Sequence, residues 1–124
     1  MVKIGVIGAG FMGSMHSQCY SLIPEVKLIG IADIRKEKAK ELSEKFNCLA
    51  YDDGEKLLKN PEVDAVDICL PTFMHKEWVI KAANADKDIL CEKPIALNLS
   101  EADEMVKTTQ KAKVIFMVAQ VIRF

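Results

Sequence analysis

The stretch VIGAGFMGSMH, residues 6–16, sets three glycines in a short window directly behind the apolar run KIGVIG. Glycine loses more backbone freedom on folding than any other residue and is favoured where a side chain would obstruct something. Something therefore comes close to the main chain here. Gly8, Gly10 and Gly13 satisfy G-x-G-x-x-G, behind an expected strand and at the opening of an expected helix, the context in which the pattern reads as a dinucleotide fingerprint. In that reading Gly8 permits a tight turn, Gly10 lets a pyrophosphate approach, and Gly13 lets helix and strand pack closely. Gly8, Ala9, Gly10, Phe11, Met12 and Gly13 then form the cradle, with phosphates on the free N–H groups of the helix N-terminus.

The fingerprint asks for an acidic residue about twenty positions on, at the tip of the second strand. Asp33 stands there, closing VKLIGIAD. Its carboxylate can accept both hydroxyl protons of an adenosine ribose and repels a 2'-phosphate, which points to NAD; NADP stays open. Arg35, two residues on, can stack on adenine or tolerate that phosphate. Taken alone, Asp33 reads equally as the N-cap of the next helix. No G-x-x-x-x-G-K-[ST] occurs, which removes the triphosphatase reading. Methyltransferases using S-adenosylmethionine resemble a shorter G-x-G-x-G loop, whose third glycine position is Met12 here.

With 124 residues the chain suits one domain, and 17 Lys and Arg against 18 Asp and Glu give no charge argument for nucleic acid or an anionic membrane. The N-terminal apolar run is too short for a signal peptide, and no later run approaches a membrane span. Cys19, Cys48, Cys69 and Cys91 are widely spaced, without a CxxC pair, so they read as buried, reduced thiols rather than metal ligands. The expected location is cytoplasmic.

Apolar runs alternate with helical patterns, the signature of βαβ units. Strands are expected in residues 3–8, 26–33, 48–51, 63–70, 88–91 and 113–120. Helices are expected at 11–23, at 35–46 with Ala39, Leu42 and Phe46 on its apolar stripe, after Asp52 or Asp53 through Leu58, at 76–85, and from Ser100 as N-cap. Six strands and five crossovers make an α/β doubly wound Rossmann sheet, order 3-2-1-4-5-6. The last strand runs into VIRF without a blunting charge or proline. It reads either as an edge strand or as the place where a second domain begins.

Ligands of such sheets bind beyond the carboxyl ends of the strands, where LPTFMH and CEKP fall. Pro71 ends the fourth strand, Thr72 suits a helix cap, and His75 alone reads as a first-turn residue exposed to water. Lys93 follows a buried strand, and an ammonium at a cleft mouth can hydrogen-bond a substrate hydroxyl and stabilise alkoxide-like charge as hydride leaves. The alternative is a surface Glu92–Lys93 pair before a turn proline. A cis peptide before Pro94 would aim Lys93 into the cleft.

VIGAGFMGSMH, Asp33, LPTFMH, CEKP and the closing RF, in this order, resemble the N-terminal half of the Gfo/Idh/MocA oxidoreductases, over essentially the whole chain. The resemblance implies a nicotinamide-dependent dehydrogenase of sugars, cyclitols or related polyols. It implies that Leu70, Pro71, Thr72 and His75 line the cofactor cleft, that Glu92 lies near the nicotinamide ribose, that Lys93 is catalytic, and that Gln120 and Arg123 pass the nicotinamide. It further implies a C-terminal domain with the substrate pocket, the general base and the contact of a homo-oligomer. Nothing in residues 1–124 matches that domain, so the chain is expected to bind NAD without turning over a polyol. A stand-alone NAD(H)-binding redox sensor is the alternative, and it has no need of Lys93.

Overall fold

Each apolar run pairs with its neighbours in one direction only, because every return crossing is long enough to hold a helix. The computed structural model describes residues 1–123, with the Arg123 side chain excluded; Phe124, the last residue of the RF pair, lies outside the described residues. The elements are β1 (Val2–Ile7), α1 (Phe11–Ser21), β2 (Val26–Ala32), α2 (Lys36–Phe46), β3 (Leu49–Tyr51), α3 (Gly54–Leu58), β4 (Ala65–Ile68), α4 (His75–Asn84), β5 (Asp88–Glu92), α5 (Leu99–Ala112) and β6 (Phe116–Ala119). Short 3-10 turns cover Thr72–Met74 and Val121–Arg123. All pairings are parallel, in the expected order β3-β2-β1-β4-β5-β6.

Alternation along the strands divides the core between two faces. Ile7, Val66, Ile68, Ile89 and Cys91 pack with Leu57 of α3, Trp78 and Val79 of α4, and Met105 of α5. Val6 and Ile31 face the other way, onto Leu42 of α2, with Tyr20 of α1 and Phe46 beside them. Ala39 and Leu42 are buried and Phe46 half-buried, as the stripe on α2 requires. Full burial of a Leu or Met side chain contributes about 1.5–3 kcal/mol, so Leu57 and Met105 are principal anchors of α3 and α5.

Four local expectations are corrected. Asn98, not Ser100, caps α5: its extended backbone lets the side-chain oxygen accept from Glu101 N at 2.9 Å, whereas Ser100 is already inside the helix. β6 begins at Phe116 because Lys113, at φ 59°, is the left-handed residue closing α5 and cannot start a strand. Thr72 opens a 3-10 turn and caps nothing through its side chain. Cys19 is exposed, and only Cys91 is fully buried among the four unpaired cysteines. Of the two aspartates proposed for α3, Asp53 is the cap, accepting from Glu55 N at 2.9 Å.

Neighbours of β1 connect in opposite directions, so the loops after β1, β2 and β4 open into one crevice. Ile7 sits between Ala32 of β2 and Ile68 of β4, which brings the residues following all three strands together.

Candidate functional site

The glycine loop leaves β1 at Ile7. Gly8 has φ +109°, and a Cβ there would lie 2.2 Å from the Cys69 carbonyl oxygen; at Gly13 it would lie 1.8 Å from the Gly8 carbonyl oxygen. The fold itself demands both glycines. Gly10 differs: a Cβ there meets nothing nearer than Arg35 Nη2 at 3.9 Å, and its backbone, φ −82°, is open to any residue. Helix α1 begins at that point without a side-chain cap and without an acidic residue in its first turn. Free N–H groups and the positive end of the helix dipole therefore face the same space that Gly10 leaves clear, which fits a diphosphate.

Asp33 lies where β2 ends, against this loop. Its Oδ2 accepts from Ala9 N at 2.8 Å and its Oδ1 from Arg35 N at 2.8 Å. Arg35 also forks onto it, Nε to Oδ1 at 3.1 Å and Nη2 to Oδ2 at 3.0 Å. Burial pushes the Asp33 carboxyl up, but the bonds from Arg35 and Ala9 outweigh it and hold the group below the usual range, as the anion. Helix α2 starts from Arg35 rather than Asp33, so the reading of Asp33 as its N-cap does not hold.

A 350 Å³ cavity adjoins Asp33, with Ile34 and Arg35 on one wall, Leu70, Pro71 and Met74 on the other, and Trp78 among its lining. A second hollow of 400 Å³ runs over Gly10, Phe11, Ser14 and Lys38. Arg35 borders both, the one cationic side chain common to them. The site thus offers an apolar slot, an anionic acceptor and an N–H cradle in sequence, the three environments of a base, a ribose and a diphosphate.

The remaining predicted residues are placed less uniformly. His75 is buried, with Nδ1 2.9 Å from the Pro94 carbonyl oxygen and Nε2 2.7 Å from that of Leu70. The water-exposed reading is corrected: the ring ties the LPTFMH loop to the CEKP loop. Lys93 is exposed and, among the described residues, has no ion-pair partner; the bond to Pro94 is cis. Glu92 is buried and does not pair with the Lys93 side chain, so the surface-pair alternative falls away. Gln120 follows β6 as an exposed residue whose N–H donates to Val118 O at 2.8 Å.

A cluster that the sequence reading missed lies beneath β4 and β5. His16 Nδ1 and the Tyr20 hydroxyl each stand 2.6 Å from Asp67 Oδ2, and His16 Nε2 stands 2.8 Å from Glu92 Oε1. The signal was an acidic residue inside the apolar run AVDIC. Donor atoms of His16, Asp67 and Cys69 fall within 4.8 Å of one another, but they are engaged in mutual hydrogen bonds and form a closed network.

A family profile described as the oxidoreductase family with an NAD-binding Rossmann fold matches residues 2–120. The chain belongs to the Gfo/Idh/MocA family. It is 42% identical over 115 residues to myo-inositol 2-dehydrogenase of Thermotoga maritima, covering 92% of this chain and 34% of that protein. An NAD-binding oxidoreductase from Klebsiella pneumoniae superposes with TM-score 0.88 at 35% identity, over 95% of this chain and 34% of that one. A 3-ketoreductase from Actinomadura kijaniata, solved with NADP and TDP-benzene, superposes with TM-score 0.92 at 27% identity, over 95% and 37%. The chain therefore spans about a third of the length of these Gfo/Idh/MocA relatives and carries the family's NAD-binding Rossmann domain.

Proposed function

We propose that residues 1–124 are the dinucleotide-binding domain of an NAD-dependent dehydrogenase acting on a sugar, cyclitol or related polyol, and that turnover needs a second, substrate-carrying domain. One observation carries the reading: the Asp33 carboxylate is hydrogen-bonded to the glycine loop itself, at Ala9 N, beside the open approach at Gly10. Ile34 and the Leu70–Pro71 loop would hold the adenine in the apolar slot, Asp33 would accept from the ribose hydroxyls, and the N–H groups of residues 10–13 would hold the diphosphate. Arg35, once released from Asp33, would be free to lie over the base. The 3-ketoreductase relative was solved with NADP, but a carboxylate at this position opposes a 2'-phosphate.

When bound, the nicotinamide supplies a hydride acceptor. Lys93 holds the substrate hydroxyl and stabilises alkoxide-like charge as hydride leaves. Glu92, which accepts from the Lys93 main-chain N–H, would lie near the nicotinamide ribose, with Thr72, His75 and Gln120 shaping the loops around it. A general base must reach within hydrogen-bond distance of that hydroxyl. His16 is committed to Asp67 and Glu92, and His75 to two carbonyl oxygens, so the base comes from outside these residues. Among the described residues no helix is long and apolar enough to cross a membrane, and four unpaired thiols suit a reducing compartment, so we place the protein in the cytoplasm.

Titration of the chain with NADH and NADPH by fluorescence tests the reading. NADH should bind tighter; tighter NADPH binding overturns the role given to Asp33, and binding of neither overturns the function. In the longer enzyme, Lys93→Ala should lower kcat by orders of magnitude while NAD affinity is kept.

A further inference from the structure

The cluster under β4 and β5 joins the two halves of the proposed site. His16 stands on α1, one turn beyond the glycine loop, Asp67 is wholly buried in β4, and Glu92 ends β5 directly before Lys93. The Lys93 main-chain N–H donates to Glu92 Oε2 at 3.1 Å. Glu92 Oε1 has no aligned hydrogen bond, and its one close cationic neighbour is the His16 ring. Among the described residues, ion pairs to Asp67 and Glu92 come from His16 alone. Both carboxylates are buried, and His16 is the cation placed between them.

We propose that His16 is a positioning residue: its ring, clamped between Asp67 and Glu92, fixes the Glu92–Lys93 tip of β5 relative to the glycine loop. The function of this clamp rests on the cofactor reading above, but its existence does not. Serving both carboxylates takes an N–H on each ring nitrogen, hence an imidazolium. The hydrogen bond and charge of Asp67, with the charge of Glu92, push His16 above its ordinary value, against an opposing effect of burial. Protonation is therefore favoured, and it is lost as pH rises through the raised value. One nitrogen then loses its N–H, and Glu92 or Asp67 loses its cationic partner.

The neighbouring groups leave that window clear. Burial and the Asp67 charge push the Tyr20 hydroxyl and the Cys69 thiol far up, and burial pushes the Cys91 thiol up to about 12. From β6, Met117 and Ala119 face the cluster and carry no charge. The Lys93 ammonium, though adjacent in sequence, is exposed. Cys19, exposed on α1 and beside His16, is replaced by serine in the test protein.

The experiment is a pH titration of the Cys19→Ser chain, 15N-labelled, followed by NMR at the His16 ring and the Lys93 amide, with NADH affinity measured in parallel. Expected are a doubly protonated ring at pH 7, a midpoint above the ordinary imidazole value near 6.5, and a Lys93 amide shift following the same curve. NADH affinity should fall about tenfold across that midpoint, the order of one lost charge-assisted hydrogen bond. Asp67→Asn, of equal volume, should move all three midpoints down together. A His16 midpoint at or below 6.5, or a Lys93 amide that ignores it, overturns the clamp whether or not NADH binds. A normal titration with a flat NADH profile overturns its link to the cofactor, and absence of NADH binding at every pH overturns the proposed function while the two NMR curves still decide the clamp.

Discussion

Gly10 and Gly13 satisfy one motif for different physical reasons, and substitution separates them. A methyl group at Gly13 collides with the Gly8 carbonyl, so Gly13→Ala should cost about 3 kcal/mol or more, or prevent folding. A methyl at Gly10 meets open space, so Gly10→Ala should keep its folding stability to within about 1 kcal/mol yet lose NADH affinity by about tenfold or more. Equal NADH affinity for Gly10→Ala and the unmodified chain would sink the view that Gly10 is kept clear for a ligand. Asp33 was legible because its spacing from the glycines is fixed by one strand–helix–strand unit. The Asp67–His16 contact was not, since it joins residues 51 apart and depends on which way β4 presents its side chains.

At the level of elements, the order of strands followed from hydrophobic runs and turn signals, because a parallel strand buried on both faces needs an uninterrupted apolar stretch. Element ends were less legible. Both Asn98 and Ser100 are good cap residues, and the choice rests on backbone angles that composition does not encode. Asn98→Ala should therefore cost about 1 kcal/mol, whereas Ser100→Ala should be close to neutral. Thermal or urea unfolding measures both, and a larger loss at Ser100 would reverse the assignment. The start of β6 was misread for a similar reason: Lys113 directly precedes the apolar run VIFMVA but closes α5 in a left-handed conformation.

On the scale of the molecule, the two faces of the sheet are unequally covered. Helices α3 to α5 cover one face through Ile89 and Cys91, while beyond α1 the opposite face of β5 and β6 ends in Leu90, Met117 and Ala119, with Val121 following. Met117, Val121 and Ile122 are all exposed, an apolar edge of the kind that marks an interface. The chain should self-associate through it, and Met117→Glu should shift the population toward monomer. Light scattering across a concentration series measures this, and a monodisperse monomer at high concentration would count against it.

The fork of Arg35 on Asp33 makes ligand entry an exchange of partners. Both carboxylate oxygens that a ribose diol needs are shared with a guanidinium that must first depart, so the hydrogen bonds of the diol are gained net of an exposed ion pair worth about 0.2–1 kcal/mol.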